Sequence, residues 1–152
     1  MTVERISALA ALLRHCEEVA QVLLADTGEF HPFGAYLNAN GEIEALAAYN
    51  GTEHLCSSEL YKLLHGVITK MANDRTLVAY AIAADVSIPS QFNSTFPDGI
   101  RVQVEAPGYS RDLYIPYRLL PMRALRKFFV VFPTVEYAEQ IAVDVDPSVF
   151  TA

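Results

Sequence analysis

Residues 76–88, TLVAYAIAADVSI, are apolar almost throughout and are bounded by polar turns. Successive side chains of a strand point to opposite faces, so a half-exposed strand alternates apolar and polar residues. This stretch has no polar face to give to water. It therefore belongs in the middle of a sheet, covered on both sides. Flanking strands and helices on the sheet faces must come from the rest of the chain. Ala79, Ala81 and Ala83 fall on one side of the stretch, and a face of small residues lets a helix approach closely.

Two helical segments fit that requirement. Over residues 3–25, Ile6, Leu9, Leu13, Cys16, Ala20 and Leu23 recur at three- and four-residue steps, and Gly28 is placed to stop the helix in a left-handed cap. The second is expected to start at Ser57 or Ser58 as N-cap, with Glu59 in its first turn. Leu60, Leu64, Val67, Ile68 and Met71 form its apolar face, and Asn73-Asp74 closes it.

The remaining strands come as hairpins. Asn40-Gly41 lies between FGAYLNA and EIEALAAY and predicts a type I′ turn, in which both central residues take positive φ. Residues 89–99, PSQFNSTFPDG, read as a loop. Ile100, Val102, Val104 and Ala106 then share one phase with Leu113, Ile115 and Tyr117 across a four-residue connection, Pro107-Gly108-Tyr109-Ser110. Pro116 cannot donate to a ladder, which predicts an edge strand there. KFFVVF, 127–132, predicts a last strand and 134–143 a short helix, while 119–126 and 144–152 follow neither pattern.

The resulting class is α+β, a mainly antiparallel sheet with helices packed on it, in the order α-β-β-α-β-β-β-β with a final helix. That order is similar to the profilin-like and roadblock/longin layouts, in which a sheet with a helix against it serves as a binding or dimerisation platform. With no repeat or linker, residues 1–152 read as one domain.

Composition narrows the partners. Apolar residues make up 52% and charged residues 19%, an excess that favours self-association, most simply as a homodimer. Residues 1–60 hold nine acidic and two basic side chains, while 61–152 hold nine of each. An acidic chain lacks the clustered Lys and Arg that neutralise phosphates, so nucleic acid is not expected as a partner. Arg118, Arg123, Arg126 and Lys127 form the one basic cluster and read as a solvated segment. No apolar run is long enough to span a bilayer. Glu4, Arg14, His15, Glu17 and Glu18 interrupt any signal-peptide core, and a cytoplasmic location is expected. Cys16 and Cys56 lack metal or redox spacing, and Cys16 lies on the apolar helix face, so both are expected free.

GEFHPFGAYLNANGEIEALAAYNG, followed by a Ser-capped helix, an apolar strand ending ADV, DGIRVQVEAPG and YIPY, resembles a family of small uncharacterised bacterial proteins. In that family a Gly-Glu-Phe-x-Pro-Phe-Gly block opens a hairpin. Gly28, Glu29, Phe30, Pro32, Phe33 and Gly34 match the block, Glu105 matches an acid in a later strand, and Pro116 and Tyr117 match a Pro-Tyr pair. The likeness spans roughly residues 5–118 and implies no activity. It marks where a site would be sought.

Four residues carry the candidate chemistry. Glu29 and His31 lie two apart in the TGEFHPFG corner, and an acid beside a histidine can orient it for proton transfer. The plainer account is a corner: Gly28 stops the helix, Pro32 sets direction, and Phe30 and Phe33 anchor it. Asp85 sits where the apolar strand turns polar. Glu105 is expected directly across from Asp112, a like-charged pair that persists by holding a cation or by neighbouring arginines. Arg101 and Arg111 are at hand for the second explanation. No dinucleotide, P-loop, nucleophile-elbow or zinc spacing is present, so no cofactor or metal site is expected. These absences favour a non-enzymatic binding or assembly module. The alternatives are a small enzyme or ligand-binding protein with an acid/His pocket, and an acidic partner protein of the immunity or antitoxin kind.

Overall fold

The computed structural model describes residues 2–46, 56–125 and 130–151, with side chains for 2–46, 56–120 and 134–151. Helix α1 runs Val3–Thr27; the Thr2 hydroxyl accepts the Arg5 N–H at 3.3 Å, and Gly28, at φ +80°, donates to the Leu24 carbonyl at 2.8 Å. Its buried side chains are Leu9, Leu12, Cys16, Ala20 and Leu24. The expected stripe is thus rotated slightly: Leu13 and Leu23 flank it, and Ile6 is 54% exposed.

Strands β1 (Phe33–Asn38) and β2 (Ile43–Leu46) form the expected hairpin by a different turn. Only Gly41 is left-handed, at φ +81°; Asn40 is not. Gly41 N–H donates to the Asn38 carbonyl at 3.0 Å, and Asn38 Oδ1 accepts from Asn40 and Glu42 N–H at 2.9 and 3.0 Å. The asparagine that matters is Asn38, whose side chain closes a three-residue loop with glycine at the left-handed position. Residues 47–55, which include the end of the expected strand, lie outside the described residues.

Helix α2 (Ser57–Asn73) is capped one residue earlier than expected, at Cys56, whose N–H reaches Glu59 Oε2 at 3.4 Å. Strand β3 (Leu77–Ser87) is the apolar stretch and lies inside the sheet, between β1 and β4 (Asp98–Ala106). Strand β5 (Tyr109–Leu125) follows through a two-residue turn, Pro107-Gly108, tighter than the four residues expected. The phase is as predicted, but the register differs by two: Glu105 faces Ser110, and Asp112 faces Gln103. The like-charged pair is therefore not opposed, which removes the repulsion that drew attention to it.

Strands β6 (Val130–Tyr137) and β7 (Ile141–Asp144) lie end to end along the other side of β5, so residues 134–143 are largely extended rather than helical. Pro116 is accordingly not at an edge. Its carbonyl accepts from Ala138 N–H at 3.0 Å, where the register slips between β6 and β7. A residue's N–H and C=O point to the same side of a strand, so the missing proline N–H faces this bulge, where no ladder bond is required.

The sheet order is β2-β1-β3-β4-β5-β6, antiparallel throughout, with β7 beside β6 on β5. Helix α1 touches β1, β3, β4 and β6, so the sheet curls around it. The core on that face joins α1 to Ala79, Ala81, Ala83, Ile100, Val102 and Val104. Burial pushes the Cys16 thiol up to about 12, which suits a small hydrophobe; both cysteines are free. A second core lies under α2, where Leu64 and Ile68 meet Leu46, Leu77, Tyr80 and Ile82. Among the described residues no helix is long and apolar enough to cross a membrane.

Candidate functional site

The face under α2 is apolar at β3 and polar at β4. Arg101, Gln103 and Glu105 alternate with Ile100, Val102 and Val104, so they project on the side away from α1. Helix α2 supplies Tyr61, Lys62 and His65 above them, and the C-terminal tail supplies Ser148.

Glu105 is fully buried and fully occupied. Oε1 accepts the backbone N–H groups of Val149 at 2.8 Å and Phe150 at 2.7 Å. Oε2 accepts the hydroxyls of Tyr80 at 2.5 Å and Ser148 at 3.1 Å. Burial pushes its pKa up, but the donors from Tyr80, Phe150, Val149 and Ser148 outweigh burial and hold it below the ordinary value. With Phe150 stacked on Tyr80 and His65 Nε2 3.1 Å from Ser148, the carboxylate anchors the tail across the sheet. Tyr61 donates to Gln103 Oε1, and Gln103 Nε2 to Tyr80 at 3.3 Å, which completes a tyrosine–amide–carboxylate chain.

Beside this chain an open slot of about 380 Å³ lies between α2 and the sheet, lined by Pro32, Ser57, Ser58, Tyr61, Lys62 and Arg101 among others. Through Tyr61 and Lys62 it adjoins a hollow of about 280 Å³ at His65, Gln103 and Ser148. The Arg101 guanidinium carbon sits 5.3 Å from the centroid of the Tyr61 ring. Among the described residues, the buried Arg101 Nε has no acceptor and the buried Asp112 Oδ1 has no donor. Burial raises the Asp112 pKa, only partly offset by Arg101. Burial also raises that of Tyr61, against the opposing effect of Arg101.

Asp85, which also borders the slot, meets Glu29 on a shallow cleft of about 630 Å³ at the TGEFHPFG corner, with Asp98, Tyr117 and Arg118. Tyr117 donates to Asp85 Oδ1 at 2.5 Å, and Phe30 donates from its backbone N–H. Burial nevertheless leaves the Asp85 pKa raised, and Asp98 and Glu29 push the same way. His31 is exposed and does not line this cleft. The rings of Phe30 and Phe33 pack at a tilt with centroids 5.7 Å apart, and Phe30 enters the α1 core, as a corner requires. Of the four candidates, then, Glu29 and Asp85 are brought together, His31 stands apart, and Glu105 lies on the opposite face. Among the described residues no three His, Cys, Asp or Glu side chains are grouped to hold a metal ion.

The residues that line the slot were not singled out by spacing. Arg101 and Gln103 are visible in the sequence only as alternation in IRVQVEA, the same pattern a solvated face gives. Together the fold and this site define an α+β sheet protein with a cleft between a covering helix and the sheet. The chain matches no family model, no curated protein and no solved structure.

Proposed function

We propose that the protein is a non-enzymatic binding module and that the slot between α2 and the sheet receives a small ligand. The observation that carries this reading is the slot itself: a concave space with aromatic and polar walls, Tyr61, Arg101 and Lys62, beside a rigid hydrogen-bonded floor. The carboxylates flagged in the sequence support it from the other side. Glu105 is committed to the tail and Asp85 to Tyr117, which makes each a structural acceptor rather than a free base. A fragment screen read by amide chemical shifts tests this. Hits are expected to move Tyr61, Lys62, Arg101 and Gln103; hits confined to the Asp85–Tyr117 cleft, or none at all, overturn it.

A second reading, assembly with another copy, is supported at the start of α1. Val3 and Ile6 are 83% and 54% exposed beside an apolar hollow of about 150 Å³ lined by Ile6, Leu9, Leu13, Val104 and Tyr109. Light scattering is expected to show a dimer that Ile6→Glu dissociates. A native chain that stays monomeric at high concentration ends this reading.

A further inference from the structure

We infer that the slot is an oxyanion site, in which Arg101 and Lys62 hold the carboxylate or phosphate group of a small ligand; this rests on the ligand-binding reading above. Three arginines on neighbouring strands make the case by contrast. Arg111 and Arg118 are 49% and 54% exposed, yet each has a carboxylate at 2.6 Å, from Asp144 and Glu136. Arg101 is more buried than either, and among the described residues it forms no ion pair. Its Nε is shut off from water with no acceptor among those residues. A charge withdrawn from water needs a counter-charge more than an exposed one does, so the order is the reverse of what a self-sufficient surface would have.

Asp112 and Asp85 are the nearby acids. Asp112 acts on Arg101 through its field without reaching ion-pair distance, and Asp85 lines the slot with its carboxylate committed to Tyr117 and the Phe30 N–H. The guanidinium carbon lies over the Tyr61 ring, 5.3 Å from its centroid, and a guanidinium fork suits the paired oxygens of a carboxylate or phosphate. Lys62 adds a second cation on the same wall. Helix α2 begins at Ser57, and Ser57 and Ser58 bring the positive end of its dipole to the same space. Two cations on an acidic chain suit one anionic group of a small molecule, not a polyanion.

Inorganic phosphate and acetate, titrated separately into 15N-labelled protein at low ionic strength, test the inference and tell the two oxyanions apart. At least one should give saturable shifts at Ser58, Lys62 and Arg101, with a dissociation constant of about 1–10 mM for so small a probe. Arg101→Gln should weaken binding at least about tenfold. Lys62→Gln, on an exposed side chain that leaves folding intact, should weaken it about two- to fivefold. Arg111→Gln should change nothing. No saturable shift, or an equal loss in Arg111→Gln, overturns the oxyanion site. Phenol, a neutral probe, separates this failure from that of the parent reading. If phenol moves the same amides and the oxyanions do not, the slot stands and its anion preference falls; if neither does, both fall.

Discussion

The two faces of the sheet are made by the same strands and are finished differently. Toward α1, the strands present alanine and branched aliphatic side chains, and a helix of 25 residues lies in the curl. Toward α2, a helix of 17 residues covers mainly β3 and β1, and β4 is left to a polar chain and a three-residue stretch of tail. The first face is closed by hydrophobic burial. The second is closed by hydrophobic burial over β3 and by hydrogen bonds over β4, and the slot lies where that cover stops. A directional contact tolerates a gap beside it, whereas an apolar layer does not, because an unfilled space there forfeits both transfer free energy and dispersion.

The sharpest test of that comparison is to open a gap on each face. Leu12 is fully buried between α1 and the sheet, and Leu12→Ala is expected to cost about 2–5 kcal/mol, the range for a buried leucine whose surroundings collapse only in part. Urea unfolding measures it. A cost under 1 kcal/mol would show that the α1 face is as tolerant as the other.

On the α2 face the matching deletion is Glu105→Ala, which strips four donors of their acceptor. The tail can turn its N–H groups to water, so the expected cost is about 3 kcal/mol rather than the full sum of four charged bonds. Its pH dependence has a definite sign. The folded carboxyl titrates below its unfolded value, so its contribution is complete above an unfolded value of about 4.3 and is lost as pH falls through the folded value. Exchange protection of the Val149 and Phe150 amides is therefore expected at pH 6 and should fade on acidification below that unfolded value. Glu105→Gln keeps the shape and should remove this acid transition. An unchanged transition in the Gln variant would assign it to another group.

Tyr117→Phe tests the corner rather than either face. It takes one of two donors from a partly buried Asp85, with an expected cost of about 1–2 kcal/mol. Because burial already raises the Asp85 pKa, losing the hydroxyl should raise it further, visible by carboxyl-carbon NMR titration. A fall would mean that the cleft solvates the carboxylate once the ring oxygen is gone.

The same contrast explains what could be read from residues alone. The apolar strand at 76–88, the alanine face, the Gly28 helix stop and the phase of Ile100–Ala106 all follow from burial, which leaves a compositional trace. Register did not, because a slip of two residues keeps every side chain on its face. The tail at 145–150 gave no signal, since Glu105 holds it largely through backbone N–H groups that every residue possesses. Pro116 misled for a related reason: it marks a missing donor, and an edge and a bulge satisfy that equally. Arg101 and Gln103 stayed hidden because a polar residue facing a cleft and one facing open water obey the same alternation.

The smallest expected effect separates the two acids on the polar face, Glu105 fully buried and Asp112 partly so. Glu105 has four donors, whereas Asp112 has a buried Oδ1 with none, and burial raises its pKa despite Arg101. For a raised carboxyl the sign reverses. The folded state holds the proton more tightly than the unfolded one, so ionisation of Asp112 weakens the fold as pH climbs from an unfolded value of about 3.9 to the raised folded one, and the penalty then persists to neutrality. Asp112→Asn should thus raise the melting midpoint at pH 7, with the gain vanishing below the unfolded value, where both chains are neutral. A loss at pH 7 would mean that attraction to Arg101 outweighs desolvation, and Arg101 would then have its counter-charge within the chain.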